Sequence, residues 1–323
     1  MKKEGPKFDS APSRIEPVPE GVKRPFWSVM IPTYNCAKYL RQTLESVLAQ
    51  DPGPEHMQIE VVDDCSTKDD PEAVVAEVGK GRVTFYRKPK NEGATANFNT
   101  CIERSRGQLV HILHGDDYVS PGFYKRIEQS AASNPGCAAY FVRSFIVMED
   151  NALDTITGRT QWLETPSNLP GTLLYENELR TPGVVVRRVF YERHGGFLPS
   201  LVHVADWEMW LRAITLGSAV VINEVLASYR FFAGNDTARL ARTAENLKDY
   251  LRLSEILVST QPDFDKERFA GKIAWTARWQ AKKFKELGIP EAERANLEIL
   301  RVVKLPFRAH LHRVLGRVRQ IFS

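Results

Sequence analysis

Apolar residues in the first third of the chain come in short runs that stop at polar clusters. After each run, apolar positions recur every three or four residues. Trp27-Ser-Val-Met-Ile-Pro-Thr-Tyr-Asn35 is such a run, closed by Pro32, and from Lys38 to Gln50 the residues Tyr39, Leu40, Leu44, Val47 and Leu48 form one helix face. The unit then repeats. Ile59 to Ser66 reads as a strand ending in acids, Pro71 to Val78 as a short helix, and Val83 to Arg87 as a third strand. Ala94 to Arg104 gives another helix, and Leu109 to Leu113 a fourth strand. Strands alternating with helices predict parallel pairing, right-handed crossovers and a sheet covered on both faces. Further on, Tyr140 to Met148 and Thr181 to Arg187 read as strands. His194-Gly-Gly-Phe197 reads as a turn, in which Gly195 and Gly196 either stop a helix or let the backbone come close to a ligand. Beyond about residue 236 the pattern is helical: Leu247, Tyr250, Leu251 and Ile256 mark one helix, Phe269, Ile273, Ala277 and Gln280 another, and Pro290 and Pro306 punctuate two more. Three regions follow: a tail over 1–25 rich in proline and charge and expected to be flexible, an α/β domain over 26–235, and a helical region over 236–323.

Composition sharpens this picture. With 323 residues and 43% hydrophobic content, the chain supports one large core and an appended region. No apolar run approaches the roughly 18 residues of a membrane span, and the first residues lack the apolar centre of a signal peptide. Cys36, Cys65, Cys101 and Cys137 have no metal-ligand spacing and read as reduced thiols, which suits the cytoplasm. A net charge of +4 is too small to argue for nucleic acid. The charge is unevenly placed, however. From Arg301 to Ser323 every charged residue is basic, and apolar residues alternate with them. This segment predicts a basic amphipathic helix, which either packs with a solvated basic face or makes peripheral contact with an anionic membrane, at its inner face, or with a partner enzyme.

Candidate chemistry sits at the strand ends. In a parallel sheet, ligands bind beyond the carboxyl ends of the strands, so Asn35, Asp64 and Asp117 are expected to converge on one crevice. The stretch His111-Ile-Leu-His-Gly-Asp-Asp-Tyr118 ends an apolar run in two adjacent carboxylates. Such a pair repels unless a cation or several donors lie between its members. The alternative is a solvated turn that caps the helix begun by Pro121.

Five motifs carry a resemblance: Val-Met-Ile-Pro-Thr-Tyr-Asn35, Val61-Val-Asp-Asp-Cys-Ser66, Asn91-Glu-Gly-Ala-Thr-Ala-Asn97, Gly115-Asp-Asp-Tyr118 and Ala205-Asp-Trp-Glu-Met-Trp-Leu-Arg212. In this order, over about 26 to 235, they resemble glycosyltransferase family two, inverting enzymes with the A-type nucleotide-diphospho-sugar transferase fold. The resemblance implies a Rossmann-like mixed sheet flanked by helices, with a C-terminal helical extension. It places Pro32, Thr33, Tyr34, Asn35 and Asn97 in the nucleotide-sugar site and gives Asp64 a hydrogen bond from the base. It puts Asp116 near the ribose, Arg230 near the diphosphate, and Mn²⁺ or Mg²⁺ on Asp117. Asp206 becomes the catalytic base, with Glu208 as its rival. The residues themselves leave other readings open: an Asx turn for Asp64, packing for Tyr34, a helix N-cap for Asp206. Phe232 stands where relatives carry a His, which puts the metal site's dependence in question. Trp275-Thr-Ala-Arg-Trp279 resembles, without its Gln, an element of processive synthases. The function implied is transfer of one sugar from a nucleotide-diphosphate donor, a UDP-sugar first, to a glycan or lipid-linked acceptor in surface glycan assembly. The competing readings are a nucleotidyltransferase, which would need a glycine-rich basic loop after the first strand, and a sugar-nucleotide-binding scaffold.

Overall fold

The computed structural model describes residues 11–157 and 169–303. The chain forms two compact units, Met1–Phe232 and Ala233–Ser323.

In the first unit the expected alternation is present. It runs β1 (Trp27–Thr33), α1 (Ala37–Leu48), β2 (Met57–Asp63), α2 (Pro71–Gly79), β3 (Thr84–Arg87), α3 (Ala94–Arg104) and β4 (Leu109–Ile112). Next come β5 (Tyr118–Val119), α4 (Phe123–Ser133), β6 (Ala139–Met148), β7 (Leu153–Ile156), α5 (Leu169–Leu173), a 3-10 turn at Thr181–Gly183 and β8 (Val184–Arg187). The unit closes with α6 (Arg188–His194), α7 (Ala205–Gly217) and β9 (Ala219–Phe231). Strand order is β3-β2-β1-β4-β8-β6-β9-β5, with β7 paired to β6. Pairing is parallel from β3 to β4 and antiparallel from β4 to β8. The sheet is therefore mixed. Every residue of β1, β2 and β4 is buried, which is why apolar residues predominate in these strands, although β2 also buries Gln58 and Glu60.

Register decides what meets at the strand ends. Thr33 lies opposite Asp63, and Thr33 O accepts from Asp64 N at 2.9 Å. On the other side of β1, Pro32 O accepts from Gly115 N at 3.0 Å. The ends of β1, β2 and β4 thus stand side by side. Gly115 is required there, because a Cβ would sit 2.9 Å from Cys36 Sγ and 3.1 Å from Thr33 Oγ1. The adjacent acids do not cap α4: β5 intervenes, and Gly122 is the N-cap residue.

The described part of the stretch expected to be a flexible tail, residues 11–25, has no helix or strand but is anchored at several points, among them Arg24, which donates to Arg106 O and Gly107 O. Ile15 is buried, Ser13 O accepts from Gly196 N at 2.7 Å, and Glu16 O accepts from Arg188. Gly195 and Gly196 serve both this contact and the helix stop. Gly195 has φ +79 and a Cβ there would lie 2.6 Å from Pro12, while its N–H caps Tyr191 O.

The second unit is helical over its described residues: α8 (Asp236–Arg242), α9 (Glu245–Thr260), α10 (Lys266–Glu286) and α11 (Pro290–Val302). Leu247, Leu253 and Leu257 of α9 are buried, as are Phe269, Ile273, Ala277 and Phe284 of α10. Asn296, fully buried on α11, donates to Ala241 O at 2.9 Å. Pro306 and nearly all of the basic 301–323 segment lie outside the described residues. No described helix is long and apolar enough to cross a membrane.

Candidate active site

The turns after β1 and β2 are fastened to each other. Asn35 adopts a left-handed φ of 51, its N–H donates to Ser66 Oγ at 2.8 Å, and its Oδ1 accepts from Thr67 and Lys68 N–H at 2.9 Å each. Asp63 holds the same turn by accepting from Ser66 N–H and from Arg87. Asn35 therefore shapes these two turns through their backbone N–H groups. Pro32 and Thr33 are buried beside it, whereas Tyr34 is 46% exposed, so packing does not account for its ring.

Asp64 is buried, and its carboxylate accepts from Glu92 and Gly93 N–H at the start of α3. It also pairs with Lys88 Nζ at 2.8 Å, itself paired with Glu92 at 3.0 Å. No Asx turn is involved; Asp63 makes that contact. Asn97 donates to Val62 O at 2.9 Å and leaves its buried Oδ1 without a partner.

Asp117 is the focal group. Its side chain is buried, Oδ1 accepts from Arg230 N–H at 2.8 Å, and Oδ2 has no hydrogen-bond partner. His114 Nδ1 lies 3.5 Å from that oxygen, too far for a good hydrogen bond. His114, Asp116 and Asp117 each present one ligand atom, all within 4.8 Å of one another. Burial would push the His114 imidazole down, but Asp117, Asp116 and Asp206 together outweigh it and hold its pKa up. Burial and the neighbouring Asp117 push Asp116 up to about 7. A buried carboxylate oxygen without a donor, a second carboxylate and an imidazole form a donor set that suits a divalent cation. Sequence reasoning assigned His114 no role. Its only signal was a polar residue two positions before the pair.

His111, from the same stretch, has a different use. Its Nε2 faces Pro182 O at 3.0 Å and its Nδ1 the Tyr124 hydroxyl at 3.2 Å, so the Nε2–H tautomer satisfies both. Burial lowers its pKa to about 3, which keeps it a neutral core residue.

Arg230, which the resemblance puts near the diphosphate, is engaged throughout by the protein. It is 1% exposed, and its guanidinium donates to Asp116 O, Glu149 O, Gln42 Oε1 and Asn151 Oδ1 at 2.6 to 3.0 Å. With a further contact to Met148 O, all five N–H groups face acceptors of the protein. The reason is positional: β9 delivers the side chain beneath the Asp pair, where the turn between β6 and β7 closes over it. Phe232, in the place of the relatives' His, packs against Tyr39 with ring centroids 4.9 Å apart.

Asp206 lies in the first turn of α7, and the N-cap residue is Val204. Trp207 fixes the helix: it is buried and its Nε1 donates to Leu173 O at 2.5 Å. Asp206 Oδ1 accepts from Trp207 N–H, while Oδ2 has only long contacts, 3.4 Å to Thr181 Oγ1 and 3.5 Å to Asn177 Nδ2. Burial raises its pKa, against the pull of His203, Arg180 and His114. One imidazole, His114, thus acts on the Asp pair and on Asp206 alike. Glu208 points elsewhere: it pairs with Arg212 at 2.9 Å, which in turn donates to the carbonyls of His194, Gly195 and Gly196.

Known proteins resemble this chain in sequence and in fold. An uncharacterized protein of Mycobacterium tuberculosis is 27% identical over 301 residues, 90% of this chain and 92% of its own length. TuaG of Bacillus subtilis, named as a putative teichuronic acid biosynthesis glycosyltransferase, is 28% identical over 214 residues, 64% of this chain and 79% of its own. Among solved structures, S. aureus TarS 1–349 in complex with UDP-GlcNAc superposes with a TM-score of 0.57 at 18% identity, covering 86% of this chain and 81% of TarS. The mannosyltransferase PcManGT of Pyrobaculum calidifontis, in complex with GDP-Man and Mn²⁺, gives 0.52 at 17% identity, covering 98% and 84%. The fold is that of these A-type transferases. Residues 28–186, from β1 into β8, match the profile of Glycosyl transferase family 2, and this stretch belongs to that family.

Proposed function

We propose that this protein transfers one sugar, with inversion, from a nucleotide-diphosphate sugar to an acceptor hydroxyl, with Asp206 as the base. The observation that carries the proposal is the cluster of His114, Asp116 and Asp117, whose ligand atoms lie within 4.8 Å of one another around a buried carboxylate oxygen that has no donor. Asp206, distant in sequence, falls within electrostatic reach of the same imidazole, as a displacement needs when the leaving group gains negative charge and the attacking hydroxyl loses a proton. In that displacement the acceptor oxygen forms the new bond to the anomeric carbon. The old bond's electron pair leaves with the diphosphate, and the hydroxyl proton passes to Asp206. Asp206 Oδ2, held only by long contacts, has lone pairs available for that proton. The raised pKa makes it a stronger base than an ordinary aspartate.

Asp117, with Asp116 and His114, would hold Mn²⁺ or Mg²⁺, which when bound supplies positive charge against the departing diphosphate. Thr33, Tyr34 and the braced turn at Asn35 form the nucleoside side. Asp64 is the acceptor for a base N–H, and Lys88 pairs with it at 2.8 Å. A UDP-sugar is the first donor to test, since TarS, with the higher TM-score of the two neighbours, was solved with UDP-GlcNAc. TuaG's name supports a surface-glycan acceptor.

The test uses one variant and two readouts. Asp206→Asn is expected to keep the thermal stabilisation given by donor and Mn²⁺, and to transfer sugar at least about a hundredfold more slowly. Unchanged turnover would remove Asp206 from the mechanism. Failure of every nucleotide sugar to raise the melting temperature of the unaltered chain would remove the donor class.

A further inference from the structure

On α10, Trp275 and Trp279 are 60% and 50% exposed. Their rings are nearly parallel, at 12° with centroids 6.4 Å apart. Exposed apolar residues that stand singly need no explanation, but two indoles on successive turns of one face make a continuous patch. They are not surplus core, because the helix buries another face through Phe269, Ile273, Ala277 and Phe284. The patch is edged with cations. Lys283 Nζ lies 5.3 Å over the Trp279 ring, and Lys282, on the same face, has a 79% exposed side chain. Over its length α10 carries seven Lys or Arg against two Glu.

We infer that this stripe docks on an anionic lipid surface. A single helix face is convex and meets a flat partner more readily than it encloses a small ligand. The indole has an apolar body and one N–H, which suits the boundary between headgroups and acyl chains, and lysines beside it complement lipid phosphates. Both features are needed to choose among occupants. A neutral glycan would stack on the rings without calling for the cations, and an acidic protein would use the cations without calling for two stacked indoles. No described helix spans a bilayer, so the association is peripheral. The inference stands apart from the sugar-transfer reading and survives or falls without it.

The experiment is sedimentation of the full chain, at low salt, with vesicles of phosphatidylcholine alone or with added phosphatidylglycerol. Binding to the anionic vesicles, with a blue shift of tryptophan emission, is expected. Trp275→Ala/Trp279→Ala is expected to lower the partition by about tenfold or more, and Lys282→Glu/Lys283→Glu to abolish the preference for anionic vesicles. All four side chains are exposed, so circular dichroism and melting temperature should match the unaltered chain. The inference is overturned if the full chain stays in the supernatant with anionic vesicles. It is equally overturned if the double tryptophan variant sediments unchanged, which would assign binding to another segment such as 304–323. Retention on a soluble glycan without vesicle binding would also overturn it.

Discussion

Asp206 shows how one residue is tuned against the stability of its surroundings. Its carboxyl binds a proton more tightly folded than unfolded, because burial disfavours the charge. A raised carboxyl pKa gives stability that is full below the unfolded value and is lost as pH rises through the folded value. At neutral pH the ionised group therefore weighs against the fold. Asp206→Asn, which removes that charge, is expected to melt at a higher temperature than the unaltered chain near neutrality. The advantage should shrink toward about pH 4, where an ordinary aspartate is half protonated. Melting curves at the two pH values test this, and a variant less stable at neutral pH would contradict it. The same shift places the acidic limb of the transfer rate at higher pH than a normal aspartate would give, since only the ionised form accepts the proton.

At the scale of elements, Arg230 is the tie. It belongs to β9, its backbone N–H holds Asp117, and its guanidinium binds Gln42 of α1 and the turn between β6 and β7. A lysine would keep the charge but lose the planar fork, leaving buried acceptors without donors. Arg230→Lys is expected to lose about 3 kcal/mol of stability, seen as a lower urea midpoint at unchanged slope. This tie also marks where the sequence stops being legible. The elements from β1 to β4 can be read because the buried strands are mostly apolar and alternate with amphipathic helices. The 13 residues of β9 contain Asn223 and Glu224 within a stretch where its register against β6 shifts, so no clean period is present. β5 is two residues long. In the site, the strand-end convergence was predictable from topology, but the occupation of Arg230 by Gln42 and Asn151, and of Asp64 by Lys88, depends on tertiary pairings that no spacing reveals. His114 escaped for a related reason: an imidazole beside acids has many ordinary explanations, and only the orphaned oxygen next to it singles it out.

For the whole molecule, the proposed residues from Pro32 to Arg230 all fall in the first compact unit. The division lies after Phe232, where Ala233 and Gly234 are exposed in a turn. Exposed turns of small residues are preferred sites of proteolysis. Limited digestion is expected to cut there and to leave an N-terminal fragment that nucleotide sugar and Mn²⁺ still stabilise; a fragment with no such response would place part of the donor site in the helical unit. The loops around Asn35 and Ser66 add a last consequence. Because they are latched together by the protein's own atoms, these loops have already given up their freedom during folding, and under the proposed function a donor arriving there meets a fixed mould. Drift toward a new donor then falls to side chains that stand out from the latch, Tyr34 foremost, while the latch itself tolerates little change.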